Sequence, residues 1–284
     1  TLRMGDLLEL DAPSVQHRLK VIIDSKNLVL ENVYNQEPLS YDEIMEWCRS
    51  QAEFFKDYIC DVGTLLGAAA GQGKNILFEA QLGALRDIDY GIYPFTSSSN
   101  TIASYAPIGA GIPGCALDNV VGVMKAYSTC VGEGPFVAET AMGEAWNEKL
   151  RESGGEFGAA TGRPRRVGPF DAVASRYGIR CQKAQDIALT KLDVLGAFDK
   201  IPVITGYRLH GVLLDSFPTD SRLEEAEPVI EELPGWGCDI SGCRSWRDLP
   251  ENARKYVCTL EKLVDHPIYL VSTGAERDAY LLRE

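Results

Sequence analysis

Histidine is scarce in this 284-residue sequence: only His17, His210 and His266 occur. None stands beside a nucleophile-like motif, which argues against a hydrolytic triad. Metal-ligand spacing is missing too. The eight cysteines, Cys48, Cys60, Cys115, Cys130, Cys181, Cys238, Cys243 and Cys258, form no C-x-x-C pair and have no histidine at ligand spacing, so free thiols are expected rather than zinc or disulfides. Positive charge is short: 28 Lys and Arg against 41 Asp and Glu leave a net charge of -13. That balance argues against nucleic acid or an anionic membrane as the main partner. No apolar run approaches the ~20 residues that span a bilayer, and no charged-then-apolar leader opens the sequence. The expectation is a soluble, cytoplasmic protein. An initiator methionine is missing as well: the first residues are Thr-Leu-Arg-Met, the start expected of a processed chain or of a piece of something longer.

What is present begins with helices. Residues 14–33 read as a short helix with a mixed face. Ser40 and Glu43 make an S-x-x-E capping box ahead of Ile44, Trp47, Cys48, Ala52, Phe55, Tyr58 and Ile59 at helical spacing, which predicts a long amphipathic helix over 41–60. A further helix is expected over 61–70. From there the pattern changes to short apolar runs at 75–80, 120–127, 187–194, 203–209 and 268–272, separated by helix-length segments. This predicts a helical region over 1–74 and an α/β region over 75–284, built on a mainly parallel sheet flanked by helices. In such sheets ligands collect outside the carboxyl ends of the strands.

Polar clusters stand at those expected ends. Gln81 and Gly83 follow the first run, with Asp87, Asp89 and the hydroxyl series from Thr96 to Thr101 close behind. Ser128, Gly132 and Gly134 follow the second. The third ends in Thr190, Lys191, Leu192 and Asp193; on a strand, Lys191 and Asp193 leave the same face, and a carboxylate there accepts two N–H groups of guanine at once. The rival reading is a surface ion-pair residue. Ser272, Thr273 and Gly274 close the last strand. Residues 156–171 reverse the local charge with Arg163, Arg165 and Arg166 behind Gly158 and Gly162. Planar guanidinium forks suit carboxylates and phosphates, so this stretch is either an anion-binding loop, mobile and with unpaired arginines until a ligand arrives, or a solvated basic turn.

In order and spacing, Phe78-Glu79, Asp87-Ile88-Asp89, Tyr93-Pro94, Ser98-Ser99-Asn100-Thr101, the Lys-Ala-Tyr-Ser-Thr run from Lys125, Gly132 with Gly134-Pro135-Phe136, Thr161-Gly162-Arg163, the Leu-Thr-Lys-Leu-Asp-Val-Leu run from Leu189, Pro234-Gly235-Trp236, the Leu-Pro-Glu-Asn-Ala-Arg run from Leu249 and Ser272-Thr273-Gly274 together resemble adenylosuccinate synthetases. The resemblance runs from about residue 2 to the end. It implies a P-loop NTPase-related fold and a GTP-dependent ligase of purine biosynthesis that joins aspartate to inosine monophosphate (IMP), with magnesium as cofactor and a homodimer as the assembly. It also implies site residues. Ser97, Val131 and Arg163 correspond to IMP contacts; Ala159, Ala160, Thr161, Gly162, Arg163 and Arg165 to the aspartate loop; and Arg165, Lys191, Leu192, Asp193, Ser272, Thr273 and Gly274 to the GTP site. No metal ligand is expected in these residues.

The sequence departs from the family in several places. The family's base-reading glutamine corresponds to Leu82, with Gln81 one place early; if 75–80 is a strand, that shift turns the amide to the opposite face. The family's Ser-Thr-Arg-Val is Ser-Thr-Cys-Val here, so Cys130 stands where an arginine is expected. Ala160 replaces the first threonine of the aspartate loop. The family's Gly-Asp-Glu-Gly-Lys-Gly-Lys phosphate loop, which supplies its catalytic aspartate and magnesium site, does not occur among these 284 residues. Two alternatives stay open on the residues alone: a paralogous carbon–nitrogen ligase acting on another purine or amine, and a nucleotide-binding fragment without turnover.

Overall fold

Local signals set the helices. The computed structural model describes residues 1–159 and 161–283. Pro13 opens α1 (Pro13–Asn32) in the first turn, where its missing N–H leaves no helical bond unmade. The Ser40 hydroxyl accepts from the Glu43 amide and caps α2 (Tyr41–Phe55). This helix ends sooner than expected, giving way to a 3-10 turn at Lys56–Tyr58, and two residues of the expected apolar face, Trp47 and Tyr58, are exposed. Asp61 caps α3 (Val62–Gly71) by accepting from the Thr64 amide at 3.0 Å. Val15, Leu19, Ile23, Met45 and Cys48 form a small core here. These helices belong to one compact unit, Thr1–Ile76 with Ala110–Ile112; the second comprises Leu77–Gly109 and Pro113–Glu284.

The second unit contains α4 (Ala106–Gly109), β1 (Val121–Lys125), β2 (Ser128–Cys130), α5 (Val137–Thr140), α6 (Glu144–Gly154), β3 (Arg166–Gly168), β4 (Phe170–Asp171), α7 (Ala172–Gln182), β5 (Asp186–Thr190), β6 (Lys200–Leu209), β7 (Val212–Leu213), β8 (Glu227–Pro234), α8 (Glu251–Val264), β9 (Ile268–Ser272) and β10 (Tyr280–Leu282). It is an α/β fold. Its site-bearing sheet has the order β1-β5-β9-β10, parallel except for β10. Ile187, Ala188 and Leu189 of the central strand β5 are all buried, which accounts for its unbroken apolar run. Against this sheet packs a core that includes Tyr256, Val257 and Leu260 of α8, whose buried positions recur at helical spacing. The Tyr256 hydroxyl donates to the Ala126 carbonyl at 2.6 Å, fastening α8 to the carboxyl end of β1.

Not all the apolar runs share that sheet. The run at 203–209 lies in β6, the centre of a second sheet, parallel to β4 and antiparallel to β7 and β8. His210 and Gly211, both at positive φ, form the two-residue turn between β6 and β7, a shape that matches strand twist. A two-stranded ladder joins β2 to β3.

The strand expected at 75–80 is not formed. Among the described residues no strand pairs with it, residues 74–81 carry no regular structure, and Leu77 is 92% exposed. An apolar run becomes a strand only where a neighbour satisfies its backbone. The alternation argument for Gln81 and Leu82 falls with it.

Candidate functional site

The arginine stretch is a loop with a fastened base. Glu156 is 1% exposed and accepts from three side chains: Lys125 Nζ at 2.8 Å, the Tyr127 hydroxyl at 2.7 Å and an Arg165 nitrogen at 2.8 Å. Burial raises its pKa, but these three donors outweigh burial and leave the carboxyl below its ordinary value. Burial first, and then Glu156, push the Tyr127 phenol well up, so it stays protonated as a donor. Backbone bonds complete the base: the Arg165 amide donates to the Glu156 carbonyl at 2.9 Å, Phe157 and Pro164 form an isolated antiparallel bridge, and the Gly158 amide donates to the Arg163 carbonyl at 2.8 Å.

The expectation that the arginines stand unpaired is corrected for two of the three. Arg165 pairs with Glu156, and Arg166 with Glu139 at 2.6 Å. Arg163 is exposed and makes no ion pair among the described residues, and Ala159, Thr161 and Gly162 beside it are exposed too. Gly162 takes φ +64, a left-handed conformation that suits glycine. Ala160 lies outside the described residues.

At the carboxyl end of β5 the chain stops being extended. The strand ends at Thr190, Lys191 takes φ +64, and Asp193 opens a 3-10 turn at Asp193–Ala197. Lys191 and Asp193 therefore do not leave one face of a strand, as expected from their spacing. They are half-buried on either side of Leu192, whose side chain is fully buried, so Leu192 has only backbone to offer a ligand. Lys191 Nζ donates to the Gly154 carbonyl at 3.0 Å, next to Glu156. Leu189 pairs with Val271 across the parallel ladder, which sets Ser272, Thr273 and Gly274 beside Lys191. Thr273 is likewise fully buried, its hydroxyl donating to the Cys243 carbonyl at 3.2 Å. The Ser272 hydroxyl donates to the Gly274 carbonyl at 2.9 Å.

Ser97 and Val131 sit on two other loops. The Ser97 hydroxyl closes a local turn, donating to the Ser99 carbonyl and accepting from the Ser99 amide, each at 3.0 Å. Val131 is 71% exposed and follows directly on β2, whose Cys130 pairs in register with Arg166. The turn that Val131 begins is thereby tied to the arginine loop. Gln81 is exposed, one residue before Leu82 at φ +73 and two before Gly83 at φ +82.

The sequence reading did not single out Glu156 as the residue that ties the base of the arginine loop, nor Lys125 and Tyr127 as its partners. Their signal was present: Lys125 and Tyr127 stand two apart at a strand end, and Glu156 is the acid directly ahead of the arginines. Among the described residues no three His, Cys, Asp or Glu side chains come together as a metal site. A cavity lined by Ala103, Cys115, Val120 and Gln185 lies at the amino ends of β1 and β5, the opposite edge from these clusters. The eight cysteines are free thiols, and none of the described helices is long and apolar enough to cross a membrane.

The adenylosuccinate synthetase family model matches residues 1–281. Adenylosuccinate synthetase of Trichlorobacter lovleyi is 46% identical over 282 residues, which cover 99% of this chain and 64% of the relative. That of Pelobacter propionicus is 44% identical, with 99% and 65% covered. The solved structure of fully ligated adenylosuccinate synthetase from Plasmodium falciparum superposes with a TM-score of 0.87 at 32% identity, over 97% of this chain and 65% of that one. The chain thus spans about two thirds or slightly less of its relatives' length (64–65%). With matches over nearly all its residues in sequence and in fold, the chain belongs to the adenylosuccinate synthetase family.

Proposed function

We propose that residues 75–284 form the nucleotide- and aspartate-binding part of an adenylosuccinate synthetase, a ligase of purine nucleotide biosynthesis that joins aspartate to IMP with GTP as phosphoryl donor. In this reading O6 of the hypoxanthine attacks the γ-phosphorus of GTP as N1 loses its proton, and GDP departs. The aspartate amine then adds at C6, the C6–O bond breaks and phosphate leaves. Arg163 captures an aspartate carboxylate through its paired N–H groups, with Ala159, Ala160, Thr161 and Gly162 shaping the loop. Arg165, held by Glu156 at 2.8 Å, stands between this loop and the GTP. Asp193 accepts the ring N–H and exocyclic amine of guanine, the Lys191 stem lies against the base, and the backbone of Leu192 and Ser272 to Gly274 closes the pocket. Ser97 takes the IMP phosphate, Val131 lies beside the ribose, and Gln81 faces the purine. Magnesium accompanies the nucleotide phosphates, with its protein ligand in the family's phosphate loop. A cytoplasmic homodimer completes the reading.

The observation that carries it is the register of β1, β5 and β9, which gathers Lys125, Lys191, Asp193 and Ser272 at one edge of the sheet next to the arginine loop. The relatives' names favour this reading over a ligase acting on another purine. Calorimetric titration with GTP and ATP tests it. The wild type prefers guanine, and Asp193→Ala loses roughly 2–4 kcal/mol of GTP binding together with that preference. Equal affinity of the wild type for both nucleotides would sink the proposal.

A further inference from the structure

Arg86 ends a 3-10 turn at Ala84–Arg86 and is not itself among the expected site residues. Its guanidinium nevertheless reaches two loops of the proposed IMP site. One nitrogen donates to the carbonyls of Phe95 and, at 3.1 Å, Glu133. The other donates to Cys130 Sγ at 2.8 Å and to the Val131 carbonyl at 2.9 Å. The Arg86 carbonyl accepts from the Ser97 amide at 2.8 Å. One residue therefore holds the Ser97 loop by backbone and side chain, and the turn over 131–134 by side chain.

Arg166 takes the remaining carbonyls of that turn, Gly132 at 3.2 Å and Gly134 at 2.8 Å. The four successive carbonyls alternate between two arginines. These differ in charge balance. Arg166 is neutralised by Glu139, whereas Arg86 forms no ion pair among the described residues: three of its side-chain acceptors are backbone carbonyls and the fourth is Cys130 Sγ. Its charge stays uncompensated between a serine loop proposed to take a phosphate and a turn proposed to lie beside a ribose. Packing tightens the junction: a Cβ on Gly134, which takes φ +104, would come within 2.6 Å of the Phe95 ring.

Cys130, beside which this guanidinium rests, stands where the family's Ser-Thr-Arg-Val carries its arginine. We propose that Arg86 is a positioning residue of the nucleoside monophosphate site, joining the Ser97 loop to the turn over 131–134 and supplying from another segment the positive charge that Cys130 removes. The inference rests on the IMP site proposed above, and its test separates the two.

Wild type, Arg86→Leu, Cys130→Arg and the double variant are titrated with IMP and with GTP, alongside amide hydrogen exchange over residues 95–99 and 131–135. Arg86→Leu is expected to lose at least about tenfold in IMP affinity with GTP affinity unchanged, because the Ser97 loop and the turn over 131–134 lose the side chain that ties them and the positive charge beside them, while the guanine pocket is untouched. Adding Cys130→Arg in that background returns IMP affinity to within about threefold of wild type, since the charge and its fork are restored at the same place. General loss of structure would lower both affinities and would not be rescued. Wild-type IMP affinity in Arg86→Leu, or no recovery in the double variant, overturns the proposal. If the wild type binds no IMP, the monophosphate reading itself falls. The joining of the loops is then read without ligand: faster exchange in Arg86→Leu that Cys130→Arg slows again supports it, and unchanged exchange overturns it. Should Arg86→Leu not fold, Arg86→Lys, which keeps charge but loses the fork, serves in its place with a smaller loss expected, and unchanged affinity and exchange in it count against the proposal.

Discussion

Replacing Glu156 by glutamine isolates what its charge does at the base of the arginine loop. The side chain keeps its size, and one oxygen still accepts from Lys125 and Tyr127. The other becomes an amide that turns donor hydrogens toward the Arg165 nitrogen now 2.8 Å away. A charge-assisted hydrogen bond contributes about 1.5–3 kcal/mol. Glu156 is 1% exposed but Arg165 keeps 34% of its side-chain surface in water, which calls for the lower part of that range, about 2 kcal/mol. With a urea slope of about 2 kcal/mol per molar, the unfolding midpoint of Glu156→Gln should fall by about 1 M at pH 7. Trp146, Trp236 and Trp246 lie in the same unit as Glu156 and report the transition by fluorescence. The folded carboxyl sits below its ordinary value of 4.5, so its contribution is present above that pH and fades as acid protonates it. The difference between the two proteins should shrink in step. Coincident midpoints at pH 7, or a difference undiminished in acid, would refute the account.

Asp171 should behave in the opposite sense, because burial pushes its pKa up from 3.8 to about 6 while it caps α7 and accepts from Tyr207. The folded state binds that proton more tightly than the unfolded one, so stability should decline as pH rises from 3.8 toward about 6; Asp171→Asn should remove the decline, and a flat wild-type urea midpoint over this interval contradicts it. Arg163→Lys should weaken aspartate capture at least about tenfold in calorimetry with nucleotide present, since charge is kept but the paired fork is lost; an unchanged isotherm rules the role out. Residues 1–284 by themselves should form no adenylosuccinate from GTP, magnesium, IMP and aspartate in a coupled assay, because phosphoryl transfer requires charge neutralisation that the family's phosphate loop supplies. Product that survives repurification would show that another group does this.

Features written within a few residues were legible in the sequence. The Ser40 cap and the unbroken apolar run of β5 each depend on local pattern, and the alternation of such runs with helix-length segments points to the α/β class. The strand expected at 75–80 shows the limit of that reading, because an extended segment persists only beside a partner and its own residues do not carry one. The positive φ of Lys191 was equally hidden, since a side chain with a Cβ gives no signal of left-handed backbone. Electrostatic pairing was read least well. Arg166 finds Glu139 from 27 positions away, and Arg86 finds Cys130 from 44, separations at which chain order says nothing of proximity. Of the candidate site, residue types were therefore visible and their partners were not.

Leu192 gives the two halves of the proposed site different thermodynamic characters. Its side chain is sealed in the core between Lys191 and Asp193, so the segment proposed to read guanine cannot rearrange without disturbing the interior, and it meets its ligand already ordered. Little conformational entropy remains to be lost there on binding. Arg163 stands exposed on a loop whose fastened base is at Glu156 and Arg165, and ordering its side chain draws on the free energy of aspartate capture. Guanine selectivity should then survive mild heating or denaturant up to the unfolding of the core, while aspartate affinity weakens well before it.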